Sequence, residues 1–387
     1  MNLTQYGDYF YLYMLLIALI PVIVLGIFNK KTRYYGIILS IGMNFLLLGR
    51  GVGLRFFLLF LVGETILIYL YLYVRRKTDN KYIYFICLFL SIVPLIITKL
   101  SLAVWSKSDL GFVGLSYLNF RVIQMIIEIY DGKIKEINLF TYLYFILFFP
   151  TFSSGPIDRW TRFENDLDKQ YEKDEYFNEY LIPGIKKIVL GILYKFVLSY
   201  LINTYWMKLI PADKTAIHII NYMYAYTMYL LFDFAGYSLF AIGTGYIMGI
   251  KVPENFNKPF LSKDMKEFWT RWHISLSRWF GDYIFSRFVL NSMRKKRFKS
   301  RFTASHVAQI LTMFIMGLWH GLTPYYILYG LYQGILLVLT DIYQRKSKYY
   351  KKHKKEKWFN CVQIAVTFHI VCFGMLLFSG YLFEVKE

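Results

Sequence analysis

Two histidines differ from the other ionisable residues of this chain in what surrounds them. His320 closes Gly317-Leu318-Trp319-His320-Gly321, between two apolar runs that only a few residues separate. An ionisable group at membrane depth costs several kcal/mol, so it faces a cavity or a partner. The flanking glycines would let the helix end there and let the backbone approach a ligand closely. His273 sits in Glu267-Phe268-Trp269-Thr270-Arg271-Trp272-His273-Ile274-Ser275-Leu276-Ser277-Arg278-Trp279-Phe280. At helical spacing Phe268, Trp272, Leu276 and Trp279 form one stripe, and Trp269, His273, Ser277 and Phe280 the adjacent one. The plainer readings are an outer-surface loop histidine for His320 and, for His273, an interfacial amphipathic helix with tryptophan anchors and snorkelling Arg271 and Arg278. As chemistry, a desolvated imidazole stays neutral and accepts a proton near pH 7. A histidine pair in an apolar, aromatic setting therefore suits general-base catalysis without a covalent enzyme intermediate. The sequence has no GxSxG elbow, Walker loop, HExxH or dinucleotide fingerprint.

The other candidates read as structural. His353 lies in a lysine run and reads as a solvated loop residue, His218 and His306 as interfacial residues near the starts of spans, and His369 as bonded to a neighbouring helix. Asp233, in Leu231-Phe232-Asp233-Phe234-Ala235-Gly236, reads as a helix cap after a tight turn between two spans, with an intramembrane acid as the alternative. Glu64 and Glu128 read as members of ion pairs. Cys87, Cys361 and Cys372 lie in apolar runs with no CxxC spacing, so they read as packing residues, not a disulfide framework or a zinc site. No ligand set for a metal is found.

The frame that must position these residues follows from composition. The chain is 57% hydrophobic and 18% charged, against about 45–50% and about 25% for soluble domains. A net charge of +20 first suggests nucleic acid. Here the charge lies in short clusters between long apolar runs, which excludes nucleic acid as a partner and leaves an all-α polytopic membrane protein in contact with lipid. A crossing takes about 20 apolar residues, or about 17 at the short end. Candidate segments are 9–28, 34–49, 56–74, 82–98, 110–128, 138–152, 185–205, 216–232, 234–250, 303–320, 322–340 and 358–383. This gives about 10–12 membrane segments, some short or re-entrant; the pair 110–128 and 138–152 either crosses or forms a re-entrant hairpin. The first run has no basic residues before it and no A-x-A site after it, so it reads as a retained span.

Basic clusters orient the spans. They are Lys30, Lys31 and Arg33; Arg75, Arg76, Lys77 and Lys81; Arg294 to Arg301; and Arg345 to Lys357. Alternating segments put all four on one side, taken as cytoplasmic, with both termini outside. The same count puts the acidic stretch 158–182 outside, with an interfacial segment as the alternative reading. The stretch 251–301 is too polar to cross and too aromatic for a plain loop. With no internal repeat or linker, residues 1–387 read as a single membrane-embedded domain.

Three motifs together resemble the membrane-bound O-acyltransferase (MBOAT) superfamily. Phe268-Trp269-x-Arg271-Trp272-His273-Ile274-Ser275-Leu276-Ser277 resembles its first histidine motif, Gly317-Leu318-Trp319-His320-Gly321 its second, and Ser154-Gly155-Pro156-Ile157-x-Arg159 its upstream Ser-Gly-Pro motif. Each is weak alone; their order and the 47-residue spacing of the histidines make the set specific. Gly114-Leu115-Ser116-Tyr117-Leu118-Asn119-Phe120-Arg121 with Gln124-Met125-Ile126-Ile127-Glu128, and Tyr325-Tyr326-Ile327-Leu328-Tyr329-Gly330-Leu331-Tyr332, resemble the branch that D-alanylates teichoic acid in Gram-positive bacteria. Gly281 departs from that branch, where Arg is frequent.

The resemblance implies a bacterial cell-membrane enzyme that binds no cofactor of its own. D-Alanine would arrive as a thioester on the phosphopantetheine of an acidic cytoplasmic carrier protein and reach teichoic acid with the help of partner membrane proteins. By the resemblance His320 would be the catalytic histidine and His273 its helper near the cytoplasmic mouth, with Trp269, Ser277 and Trp319 lining the substrate tunnel. For such a carrier, Val289, Leu290 and Met293, followed by Arg294 and Arg297, offer an apolar group with a basic surround. The alternatives are a polysaccharide O-acetyltransferase of the alginate type, which shares the histidines, and a transporter or scaffold whose histidines are structural.

Overall fold

The computed structural model describes residues 3–49, 51–105 and 111–383, and their regular structure is helical throughout. Residue 110, where the fifth expected segment begins, lies outside them. In chain order the α-helices are α1 (Tyr9–Ile27), α2 (Arg33–Leu48), α3 (Val52–Lys77), α4 (Lys81–Trp105), α5 (Leu115–Tyr130), α6 (Leu139–Leu147), α7 (Trp160–Asp168), α8 (Lys173–Glu175) and α9 (Ile182–Ile192). They continue with α10 (Ser199–Tyr205), α11 (Ala216–Ile247), α12 (Met265–Arg271), α13 (Ile274–Phe280), α14 (Ser286–Arg294), α15 (Arg301–His320), α16 (Pro324–Lys346), α17 (Lys348–His353) and α18 (Lys357–Ser379). Polar side chains cap the starts: Asp8 on α1, Asn138 on α6, Asp264 on α12, Ser300 on α15 and Ser347 on α17 accept from first-turn N–H groups. Among the described residues seven helices are long and apolar enough to cross a bilayer: α1, α3, α4, α11, α15, α16 and α18. Large apolar side chains such as Tyr13, Ile17, Leu59 and Phe89 stand exposed on the first three, as a lipid-facing surface requires.

The chain divides into two compact units, Met1–Ile192 with Gly236–Pro253, and Leu193–Ala235 with Glu254–Glu387. In the first, α5 is buried along almost its whole length. Arg121 projects from it to donate to Phe145 O at 2.6 Å, Ile146 O at 3.0 Å and Thr151 O at 2.6 Å, which satisfies the carbonyls where α6 ends. With nine residues, α6 is about 14 Å long, too short to cross. The chain then turns through Phe149–Thr151 and the Ser-Gly-Pro stretch. The stretch 158–182 is placed by its contacts. Asp168 pairs with Arg33 at 3.1 Å, and Tyr171 Oη donates to Gly249 O at 2.6 Å while Thr32 Oγ1 donates to Met248 O at 3.2 Å. The acidic stretch therefore lies beside the first basic cluster, not on the opposite face.

Further expectations are corrected. Segments 216–232 and 234–250 are one 32-residue helix, α11, with Asp233 inside it. Asp233 caps nothing; it pairs with Lys195, which a π-helical turn (Leu193–Leu198) carries. Among the described residues Glu64 makes no ion pair, and its Oε2 is buried without a hydrogen-bond partner. His369 bonds the carbonyl of Ala365 on its own helix at 2.7 Å. Cys87 and Cys372 are buried as packing residues, whereas Cys361 is exposed on α18. His306 is tied to Asp341 at 2.8 Å, and His353 closes α17 beside Glu356 at 2.9 Å.

In the second unit α15 and α16 form a tight antiparallel hairpin. A Cβ on Gly317 would lie 2.5 Å from Tyr326 O, and one on Gly330 2.5 Å from Met313 O. The glycines beside His320 thus serve helix–helix approach more than access for a ligand. The hairpin brings the basic clusters together at one end, with the Arg345 guanidinium 4.1 Å over the Phe302 ring; His320 stands at the other. Near the basic end Asp341 accepts from Lys266 (2.5 Å) and Arg345 (2.7 Å) and meets His306, while Gln344 donates to Asp264. These contacts clip α12 to α16.

Candidate active site

The stretch read as one amphipathic helix is broken. α12 ends at Arg271 and α13 begins at Ile274, with His273 between them at φ 44°, ψ 52°. Left-handed backbone is strained for a side chain of this kind and persists only where neighbours over-determine it. Asn255, fully buried, does so: its backbone O accepts from Ile274 N at 2.9 Å, and its Oδ1 accepts from Ser275 N, Ser275 Oγ and His273 Nδ1 at 3.2, 2.9 and 3.2 Å. Because that oxygen can only accept, Nδ1 carries the ring proton and Nε2 is the acceptor nitrogen. Phe234 packs edge-on to the ring, centroids 4.8 Å apart. His273 is 4% exposed, and burial, reinforced by the nearby His320, pushes its imidazole down to about 3. It is neutral at any physiological pH.

His320 is the last residue of α15 and is partly exposed. Trp319, Phe378, Tyr326 and Tyr329 surround its ring at centroid distances of 4.7, 4.9, 5.8 and 6.4 Å. Both histidines line one small cavity of about 60 Å³ with Leu230, Phe234, Trp269, Trp272, Leu276, Met316, Tyr329, Met375 and Phe378. A larger cleft of about 440 Å³ adjoins it, and Trp269 and Met316 line both.

The remaining expected residues divide between these spaces and the surface. Trp269 is held by its indole N–H on Gln333 Oε1 at 3.2 Å. Ser277 lines the larger cleft, not the histidine cavity, and donates to His273 O at 3.2 Å. Trp319 lies against His320 but is not in the cavity wall. On α14, Val289 is 7% exposed and points inward, whereas Leu290 (59%) and Met293 (39%) are open, as are Arg294 and Arg297. The surface patch therefore consists of Leu290, Met293 and the arginines, without Val289. Sequence reasoning missed Asn255 and Phe234. Asn255 follows Pro253-Glu254 in a polar loop, and no spacing links it to His273 eighteen residues on.

Two imidazoles line one small cavity, one of them held in a single tautomer, next to a larger cleft. Residues 72–383 match the family described as MBOAT, membrane-bound O-acyltransferase family, and the chain belongs to it: this is a membrane acyltransferase. It is 42% identical to the teichoic acid D-alanyltransferase of Bacillus subtilis, over 98% of both chains. It is 43% identical to that of Streptococcus thermophilus, over 98% of this chain and 96% of that one. A probable alginate O-acetylase of Pseudomonas syringae is 30% identical over 69% of this chain and 49% of its own length.

Proposed function

We propose that this protein transfers D-alanine from the phosphopantetheine thioester of a cytoplasmic carrier protein, for the D-alanylation of teichoic acid. The observation that carries the reading is the shared cavity of His273 and His320, in a chain similar end to end to teichoic acid D-alanyltransferases. The alginate-type acetyl transfer alternative rests on relatives matched over 69% of the chain. The larger cleft suits the carrier's arm. It is lined by Ile274, Phe280, Phe285, Met313 and Leu337, and holds two buried acceptors without partners, Gln309 Oε1 and Thr312 Oγ1. The amide N–H groups of a phosphopantetheine arm would satisfy both.

The thioester is already activated, so the enzyme supplies position and a base. An acceptor hydroxyl loses its proton to His320 as its oxygen bonds the thioester carbonyl carbon. The C–S bond then breaks, and the proton passes to the departing sulfur. His273, neutral and fixed by Asn255, holds the far wall of the cavity without contributing charge. General-base catalysis of this kind contributes roughly 10²–10⁴-fold, and confining both reactants adds to it. The carrier docks on Leu290 and Met293 with Arg294 and Arg297 around them, and the basic clusters face the cytoplasm, with both termini outside. Partner membrane proteins complete delivery to teichoic acid. The test is reconstitution with a carrier bearing labelled D-alanine and with teichoic acid as acceptor: label leaves the carrier in the presence of wild-type protein, and a carrier that stays charged contradicts the reading.

A further inference from the structure

The group transferred in the proposed reaction is small and cationic, since an α-amino group with a pKa of about 8 is protonated at neutral pH. Bringing a cation to membrane depth is costly unless something there receives it. The usual receiver is a carboxylate, and none of the eleven side chains lining the histidine cavity is one. Asp233 precedes Phe234 in the chain, but it is paired with Lys195 and is not part of the wall. No Lys or Arg lines the cavity either, and the wall histidine His273 is neutral.

What lines it instead is aromatic: Phe234, Trp269, Trp272, Tyr329 and Phe378. The faces of Trp272 are already engaged, because Phe260 and Phe268 both stack near-parallel to it. Trp269 meets Phe268 edge-on, and its indole N–H is turned to Gln333, so its ring is anchored. Phe234 is fixed edge-on to His273, and Phe378 edge-on to His320. Aromatic faces attract a cation within about 6 Å of the ring centre, most strongly for Trp and in desolvated sites. A cavity of about 60 Å³ admits little beyond a two- or three-carbon acyl group, and it keeps such a group near the rings.

Resting on the function proposed above, we infer that Trp269, Phe234, Tyr329 and Phe378 form an aromatic cage that selects an aminoacyl group over a neutral acyl group by cation–π attraction to its ammonium. The cage sets specificity, and the histidines do the proton transfer.

The experiment loads the carrier either with D-alanyl or with isobutyryl, its neutral isostere, and compares kcat/KM for transfer of each group with protein in lipid nanodiscs supplied with teichoic acid as the hydroxyl acceptor. Wild type favours D-alanyl by roughly tenfold or more, and the preference falls above pH 8 as the amino group deprotonates. Trp269→Leu brings the ratio toward one, while Trp269→Phe keeps part of it. Both substrates are compared on one variant, so partial misfolding cancels from the ratio. If Trp269→Leu does not fold, Phe378→Leu and the wild-type pH dependence carry the same comparison. A wild type that moves isobutyryl as fast as D-alanyl overturns the cage and leaves the proposed function standing. Transfer of neither group overturns the proposed function, and the cage with it.

Discussion

Around His273 the backbone is bent into a left-handed residue, and a buried asparagine fixes both the turn and the tautomer. Around His320 the backbone is an ordinary helix end, and the side chain stands partly exposed among aromatic rings. Each arrangement suits a different task. A group that must gain and lose a proton during turnover benefits from room and from access to a hydroxyl. A group that must hold a wall in place benefits from rigidity and from staying uncharged. The contrast supports the proposal of His320 as base and His273 as its support, and that division can be broken in several ways.

The largest effect is expected at His320. Replacement by Ala lowers D-alanyl transfer by roughly 10²–10⁴-fold, with expression and membrane insertion unchanged; cellular D-alanine ester at wild-type levels would refute the assignment. His273→Ala is expected to cost less, and Asn255→Ala should mimic it, because that change releases the same ring. If His273→Ala is as inactive as His320→Ala while still folded, the ranking of the two is wrong.

Next in size is carrier docking. Leu290→Asp weakens carrier binding at low and high salt alike. Arg294→Glu with Arg297→Glu weakens it mainly at low salt, since screening already reduces those contacts in the wild type. Titration of labelled carrier at two ionic strengths separates them, and unchanged affinity in Leu290→Asp would move the docking surface elsewhere.

The smallest effect is on stability. His273 titrates at about 3 when folded and near 6.5 when unfolded. Between those values the unfolded chain binds the extra proton, so the stabilisation is complete above about pH 6.5 and is lost as pH falls toward 3. Thermal unfolding in detergent from pH 7 to pH 4 should show a shallower decline for His273→Gln than for wild type. Identical slopes would mean the imidazole is not held neutral.

The long helices could be read from hydropathy because their lengths match a bilayer, and the histidines from motif spacing. Features set by distant partners could not. The break at Trp272-His273 interrupts a run with good helical periodicity, and Asn255, far upstream, imposes it. Asp233 sits where a turn signal is plausible, yet Lys195, 38 residues earlier in sequence, keeps it inside α11. Arg121 is singled out in the sequence only within the Gly114–Arg121 stretch, and nothing there indicates that its side chain reaches the carbonyls of Phe145 and Thr151. Val289 follows an apolar pattern that cannot distinguish the inward face of α14 from its surface.

The central claim is that one acyl transfer occurs at the cavity shared by His273 and His320, with His320 as base. The most direct test follows a single turnover of carrier charged with labelled D-alanine, with teichoic acid supplied as acceptor, on purified wild type, His320→Ala and His273→Ala, alongside carrier affinity for each. The account predicts rapid loss of label with wild type, slower loss with His273→Ala, almost none with His320→Ala, and equal affinity for all three. Wild-type rates of label loss from His320→Ala would contradict it.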